Sequence, residues 1–139
     1  MKILDFFIRK KKPKFKSVYV IINPAAGKMQ IDRFINQSQN YFNKLKIRYK
    51  YSLTKSPGDG IILAQKAVKE RYDIIFAAGG DGTINEVING MIHSHRTVLG
   101  IIPMGTVNIL AMELNIPLME LGETFQAEVL ERRETVEKL

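Results

Sequence analysis

The chain has 139 residues, of which 45% are hydrophobic and 25% charged, a composition typical of one folded globular domain rather than a disordered or fibrous polymer. A chain of this length can bury a sizeable core without cross-links. The absence of cysteine excludes disulfides and thiolate zinc sites, and it suits a reducing cytoplasm.

Most of the formal net charge of +7 lies in residues 1–16. This basic arm contains one acidic residue, Asp5, and seven basic residues: Lys2, Arg9, Lys10, Lys11, Lys12, Lys14 and Lys16. The remaining 123 residues hold 14 basic and 13 acidic groups, so the body of the chain is nearly neutral. We therefore expect no nucleic-acid partner.

Two interpretations of the basic arm stay open. Its apolar cluster at residues 3–8 and the basic run at residues 9–16 would suit contact with anionic lipid headgroups, at about 1 kcal/mol per basic residue. A solvated, frayed terminus is the alternative. The charges follow the apolar cluster and no small-residue cleavage site comes after them, which argues against a secretory signal. We expect a cytoplasmic protein, with any membrane contact peripheral and at the inner surface.

The first half of the chain alternates between strand and helix patterns. Residues 17–22 form an aliphatic run that ends at Asn23 and Pro24, as expected for a buried strand. Residues 47–53 predict a second strand, and Pro57 and Gly58 mark a turn. Apolar residues at helical spacing predict one helix through Ile31, Phe34, Ile35, Tyr41, Phe42 and Leu45, and another through Ile61, Ala64 and Val68.

The second half repeats the pattern. Residues 73–78 and 98–102 predict the third and fourth strands, and residues 107–114 a short fourth helix. The third helix is predicted from Ile84, Val87, Ile88 and Met91. Strands that are apolar throughout, separated by amphipathic helices, predict an α/β fold with a parallel sheet covered by helices on both faces. Ligands of such sheets bind beyond the carboxyl ends of the strands.

Three strand-to-helix loops share one design. Residues 23–28, 79–83 and 103–108 each combine glycine with a short polar side chain, and each precedes a predicted helix. Glycine lets the backbone approach a ligand, and helix N-termini favour anions, so the loops suit a polyphosphate. The first loop is not a Walker A motif, because Met29 follows Lys28 where Ser or Thr is required, and no Gly-x-Gly-x-x-Gly fingerprint is present. One such turn is commonly structural, but three at one sheet edge indicate a site.

Asp81 is the strongest candidate for chemistry, because it lies between glycines directly after a predicted strand. Its carboxylate could hold magnesium through water or accept a proton from an attacking hydroxyl; alternatively, it only bonds the amides of its loop. Asn85 and Glu86 would either orient this loop or be ordinary polar residues of a helix start. We expect His93 and His95 to be exposed to solvent.

At these residues the sequence resembles the catalytic domain of diacylglycerol kinases and their bacterial relatives, a family that includes sphingosine kinases. Residues 79–90, Gly-Gly-Asp-Gly-Thr-Ile-Asn-Glu-Val-Ile-Asn-Gly, are similar to the central motif of the family almost residue for residue. Asn23-Pro24-x-x-Gly27 resembles its first loop, and Pro103-x-Gly105-Thr106-x-Asn108-x-x-Ala111 its third. The resemblance covers residues 17–118.

The resemblance implies transfer of the ATP γ-phosphoryl group to the hydroxyl of a diacylglycerol-like lipid, with ATP and Mg2+ as cofactors. It implies a catalytic role for Asp81. The nucleotide-binding residues it implies are Asn23, Gly27, Thr54, Gly79, Gly80, Asp81, Gly82, Thr83, Ile84, Asn85, Gly105 and Thr106. Magnesium ligands, a further acidic catalytic residue and part of the lipid cleft would belong to a second, β-rich domain.

The predicted organisation is therefore the basic arm at 1–16, a Rossmann-like nucleotide-binding domain of the kind shared by NAD kinases and diacylglycerol kinases at 17–118, and a closing helix or tail at 119–139. We expect no second β-rich domain after residue 139. Three functions stay open: a lipid kinase, active alone or completed by a partner; a non-catalytic nucleotide-binding remnant; and an NAD-kinase-like enzyme. The loop at 103–108 and the basic arm argue against the last.

Overall fold

A computed structural model describes residues 15–26 and 28–104 of the chain. Its strands are β1 (Ser17–Ile22), β2 (Arg48–Leu53), β3 (Ile74–Gly79) and β4 (Val98–Pro103). Its α-helices are α1 (Lys28–Lys44), α2 (Asp59–Lys69) and α3 (Asp81–Met91), and a single 3-10 turn (Pro24–Ala26) precedes α1. The predicted arm up to residue 14, the predicted helix at 107–114 and the segment 119–139 lie outside the described residues.

The four strands form one parallel sheet in the order β2-β1-β3-β4. Successive residues of β1 point to opposite faces. Val18, Val20 and Ile22 pack with residues of α1, such as Phe34 and Phe42. Tyr19 and Ile21 pack with residues of α2 and α3, including Ala64, Ile84 and Val87. The predicted α/β fold, with helices on both faces of a parallel sheet, is confirmed.

The strand boundaries differ slightly from those predicted. Strand β2 begins at Arg48 rather than at residue 47, because the amide of Ile47 donates to the carbonyl of Phe42 and closes the turn after α1. Strand β3 begins at Ile74 rather than at residue 73 and continues through Gly79. The predicted apolar face of α3 is also only partly correct, because Ile88 is 36% exposed whereas Ile84 and Val87 are buried.

Asp73 ties together the amino ends of three strands. Its Oδ2 accepts hydrogen bonds from the amides of Lys16 (2.7 Å) and Ser17 (3.1 Å), and its Oδ1 accepts one from Arg96 Nη2 at 2.9 Å. Partial burial favours the protonated acid, but these hydrogen bonds and the Arg96 charge outweigh it and lower the pKa of Asp73. This carboxylate therefore fastens β1, β3 and β4 at the edge opposite to the candidate loops.

The third and fourth strands also fit closely in the middle of the sheet. Phe76 of β3 is paired directly with Gly100 of β4. The phenyl ring lies in the space that a side chain at residue 100 would need. Within the part of the chain that the structure describes, no helix is long and apolar enough to cross a membrane.

Candidate functional site

The strand order places the expected ligand site at the carboxyl edge of the sheet between β1 and β3. The chain leaves β1 towards β2 on one side and reaches β3 on the other, so the two adjacent strands are a topological switch point. Backbone hydrogen bonds between neighbouring strands align the first residues of these loops. The amides of Thr54, Asn23 and Met104 donate to the carbonyls of Ile22, Ala78 and Gly79, respectively. The loops after all four strands therefore start side by side.

Asn23 joins the loop after β1 to the loop after β3. Its Oδ1 accepts the amide of Ala25 at 3.0 Å, and its Nδ2 donates to Thr83 Oγ1 at 3.2 Å. Because an amide N–H can donate only to the oxygen, the first contact fixes the orientation of the Asn23 side chain. Thr83 Oγ1 accepts in the second contact, and its hydroxyl can therefore still act as a donor.

Gly79 allows this contact to form. A Cβ atom at residue 79 would lie 2.8 Å from Thr83 Oγ1, 2.9 Å from Thr83 Cβ and 3.2 Å from Asn23 Cβ. The first two separations are shorter than real Cβ contacts permit. The first glycine of the motif is therefore required by close packing between the two loops.

The N-terminus of α3 is open to an anion. Its N-cap residue, Gly80, is extended and makes no side-chain cap. The first amides of an α-helix have no partner within the helix, so those of Gly82 and Thr83 in the first turn of α3 can donate to a ligand. A Cβ atom at Gly82 would meet nothing within 4 Å. Amide donors, the positive end of the helix dipole and free space thus coincide here.

The loop between β2 and α2 is built differently, because its amides already have acceptors. Asp59 Oδ2 accepts from Lys55 (2.6 Å) and Ser56 (2.9 Å), and these two hydrogen bonds lower the pKa of Asp59. The carboxylate of Glu86 accepts from Gly58 and Gly60. Of the candidate residues, this loop carries only Thr54, which is buried. Because the amide of Thr54 donates to Ile22, any hydrogen bond that Thr54 donates to a ligand would come from its hydroxyl.

The contact from Asp59 to Ser56 was overlooked in the sequence analysis although a signal was present. A serine followed three positions later by an acidic residue, ahead of an apolar run, is the pattern of a helix capping box. Ser56 and Asp59 stand in that relation directly before Ile61. The pattern places the N-cap at Ser56, whereas the N-cap of α2 is Gly58, so it indicates the approach to α2 but not its first residue.

The structure brings most of the remaining candidate residues to this edge. Asp81 is the first residue of α3 and is half-buried, and Asn85 is exposed in its second turn. Ile84 differs: its side chain is 1% exposed in the core and its amide donates to the carbonyl of Gly80, so it presents no group to a ligand. His93 and His95 are exposed, as predicted. The described residues do not include Gly27, Gly105 or Thr106.

A magnesium ion would find few protein ligands in this part of the chain. Residues 15–26 and 28–104 hold no group of three or more histidine or acidic side chains placed to bind a metal. Asp81 is the one carboxylate among the nucleotide-binding residues that the family resemblance implies. Magnesium in phosphoryl-transfer sites is commonly held by one or two carboxylates, the substrate phosphates and water. Asp81 fits such a site as a single ligand.

Comparison with known proteins gives a consistent result. The family model of the diacylglycerol kinase catalytic domain matches residues 17–138. A diacylglycerol kinase of Staphylococcus aureus (strain bovine RF122 / ET3-1) is 41% identical over 103 residues, which are 73% of this chain and 33% of the relative. Its counterpart in strain JH9 is 40% identical over the same length.

A solved structure also matches. The crystal structure of a diacylglycerol kinase from Bacillus anthracis str. Sterne aligns with a TM-score of 0.70 and 28% identity, and the match covers 88% of this chain and 41% of that one. The chain thus spans about a third of the length of the curated relatives it matches. The family model, the relatives and the architecture agree that the chain belongs to the diacylglycerol kinase catalytic domain family.

Proposed function

We propose that the chain supplies the ATP-binding part of a lipid kinase that transfers the γ-phosphoryl group of ATP to the hydroxyl of a diacylglycerol-like lipid. Family membership supports the kinase class. The observation that carries the ATP-binding proposal is the uncapped N-terminus of α3, which lies beside the contact between Asn23 and Thr83 at the topological switch point.

The phosphates would be bound mainly by backbone groups. The amides of Gly82 and Thr83 stand in the first turn of α3, where the helix dipole favours negative charge. The Thr83 hydroxyl would add one donor, since its oxygen already accepts from Asn23. Phosphoryl transfer depends chiefly on positioning and charge stabilisation. Hydrogen-bond donors that are already in place before the substrate binds would therefore favour the reaction.

Asp81 would supply the carboxylate of the site. Magnesium, when bound, would neutralise the charge of the phosphates. In the reaction the acceptor hydroxyl oxygen forms a bond to the γ-phosphorus, the bond from that phosphorus to the departing ADP oxygen breaks, and a base takes the hydroxyl proton. Asp81 would either orient magnesium through water or accept this proton.

The lipid and the membrane enter as a further part of this proposal. A lipid acceptor resides in a bilayer, and the basic arm at residues 1–16 would hold the protein at the anionic inner surface of the cytoplasmic membrane. Sedimentation with vesicles tests this: the full chain should bind vesicles containing an anionic phospholipid, bind neutral vesicles less, and lose the difference when residues 1–14 are deleted. Equal binding to both vesicle types would refute the membrane role.

Two measurements in sequence test the enzymatic proposal. Calorimetric titration of the full chain with magnesium and ATP should show saturable binding, and labelled ATP with dispersed diacylglycerol should then yield labelled phospholipid. Absence of binding would refute the ATP-binding proposal. Binding without transfer would instead favour a nucleotide-binding chain that does not turn over by itself.

A further inference from the structure

The carboxylate of Glu86, a residue of α3, caps the N-terminus of α2. Its Oε1 accepts the amide of Gly58 at 2.8 Å and its Oε2 accepts the amide of Gly60 at 2.9 Å. Glu86 belongs to α3, whereas these amides begin α2, so the contact joins two helices across 28 and 26 residues of chain. A carboxylate at this position satisfies two amides that lack helical partners and complements the dipole of α2.

The residues around Glu86 are fitted to this contact. A Cβ atom at residue 60 would lie 2.7 Å from Glu86 Oε2 and 2.8 Å from Glu86 Cβ, so the close approach requires glycine there. Gly58 has a φ of 91°, in the left-handed region that glycine adopts without strain. Both amides therefore point to the carboxylate of Glu86, and the local backbone is specifically arranged for this contact.

Thr54 lies at the first end of the loop that hydrogen bonds connect to Glu86 at its other end. The amide of Thr54 donates to Ile22 of the sheet, and Asp59 accepts the amides of Lys55 and Ser56. Glu86 then fastens the far end of this segment to α3. Its removal would leave Gly58 and Gly60 without acceptors and would release the loop from the helix that begins the candidate phosphate site.

We propose that Glu86 is a positioning residue, which sets the place of the loop carrying Thr54 relative to the phosphate-binding start of α3 and so raises affinity for the nucleotide. The inference rests on the proposed function, because it presumes that a nucleotide contacts both loops. It also assigns the N-terminus of α2 to an internal carboxylate. That terminus is therefore not a second phosphate site.

Amide hydrogen exchange of the full chain tests the contact without any ligand. Glu86→Ala should speed exchange at Gly58 and Gly60 about tenfold or more, and Glu86→Gln should do so less, because one amide oxygen can accept one of the two bonds. Glu70→Gln is the matched control: it removes the same charge from an exposed residue whose Lys66 contact is 4.0 Å long. Unchanged exchange in Glu86→Ala would overturn the proposed contact.

Calorimetry with magnesium and ATP tests the positioning role. Glu86→Ala should raise Kd about tenfold, Glu86→Gln should give an intermediate value, and in a transfer assay KM for ATP should rise while kcat changes little. Asp73→Ala controls for lost stability, since it acts at the opposite edge of the sheet and should lower Tm without changing Kd. A wild-type Kd in Glu86→Ala would overturn the role. If the wild-type chain binds no ATP, the proposed function and this role both fail, whereas the exchange pattern still decides whether Glu86 holds the loop.

Discussion

Two glycines of the same motif, Gly79 and Gly82, should respond in opposite ways to replacement by alanine. At Gly79 a methyl group would overlap Thr83, with separations of 2.8 and 2.9 Å, and would press on Asn23 at 3.2 Å. Overpacking of this kind costs about 1–3 kcal/mol, and loss of the hydrogen bond between Asn23 and Thr83 adds about 1 kcal/mol. Reduced freedom of the unfolded chain returns about 0.5 kcal/mol.

We therefore expect Gly79→Ala to lower the free energy of unfolding by about 1.5–3.5 kcal/mol, or Tm by about 5–12 °C. Gly82→Ala should leave stability unchanged or raise it by up to about 1 kcal/mol, because a Cβ atom there meets nothing within 4 Å and alanine favours the helix. The open space beside Gly82 is the space that a phosphate would occupy. Gly82→Ala should therefore weaken ATP binding at least about tenfold, as expected for loss of one hydrogen bond to a charged group.

Urea denaturation measures the free energy of unfolding of both variants. Calorimetry with magnesium and ATP measures the affinity of Gly82→Ala for the nucleotide. A fully stable Gly79→Ala variant would show that the two loops do not pack as closely as described. A stable Gly82→Ala variant with wild-type affinity for ATP would show that the phosphates do not lie over the start of α3. Either result would refute the corresponding step of the reasoning.

Three other substitutions probe the chemistry and the two sides of the sheet. Asp81→Asn should lower the rate of lipid phosphorylation at least about 100-fold while the circular dichroism spectrum stays unchanged; full activity would contradict the role of this carboxylate. The lowered pKa of Asp73 means that its stabilising effect is present at neutral pH and is lost as the pH falls below about 4, so the difference in urea midpoint between wild type and Asp73→Asn should shrink in acid. Burial raises the pKa of Tyr51 to about 12 although its hydroxyl is hydrogen-bonded to Ser38. The stabilisation of the folded state by the protonated Tyr51 hydroxyl is therefore complete below pH 10 and is lost between pH 10 and 12. The free energy of unfolding should consequently fall less steeply with rising pH in Tyr51→Phe than in the wild type.

The sequence predicted the sheet well because β1, β3 and β4 are mainly apolar runs followed by turn residues, and β2, although it contains charged residues, is bounded by turn residues after Leu53. Strand β1 begins and ends at the predicted residues, and β2 and β3 begin one residue later than predicted. Those two differences arise from the amides of Ile47 and Asp73, which bond to Phe42 and to the Ser17 hydroxyl. Local patterns cannot show such contacts, because they depend on where distant segments meet.

The location of the candidate site could be predicted from the sequence, but the hydrogen bonds that hold its loops together were harder to predict. The glycine-rich loop of residues 79–83 and Asn23 were found from local composition, and the structure places them together. The partners of Glu86 are 26 and 28 residues away, and they follow only from the packing of α2 beside α3. Ile84 shows two signals in conflict: the family motif included it in the binding loop, whereas its spacing with Val87 and Met91 correctly indicated the core.

The close fit of Phe76 over Gly100 limits how β4 can align beside β3. If β4 slid by one residue in either direction, Leu99 or Ile101 would stand opposite the phenyl ring, and a branched side chain would overlap the ring that fills the space beside Gly100. One alignment is thereby selected over its neighbours during folding. That choice also sets the point at which the chain emerges from the sheet at Met104, whose amide bonds to Gly79. A phenyl ring in the middle of the sheet thus determines where everything that follows residue 104 starts.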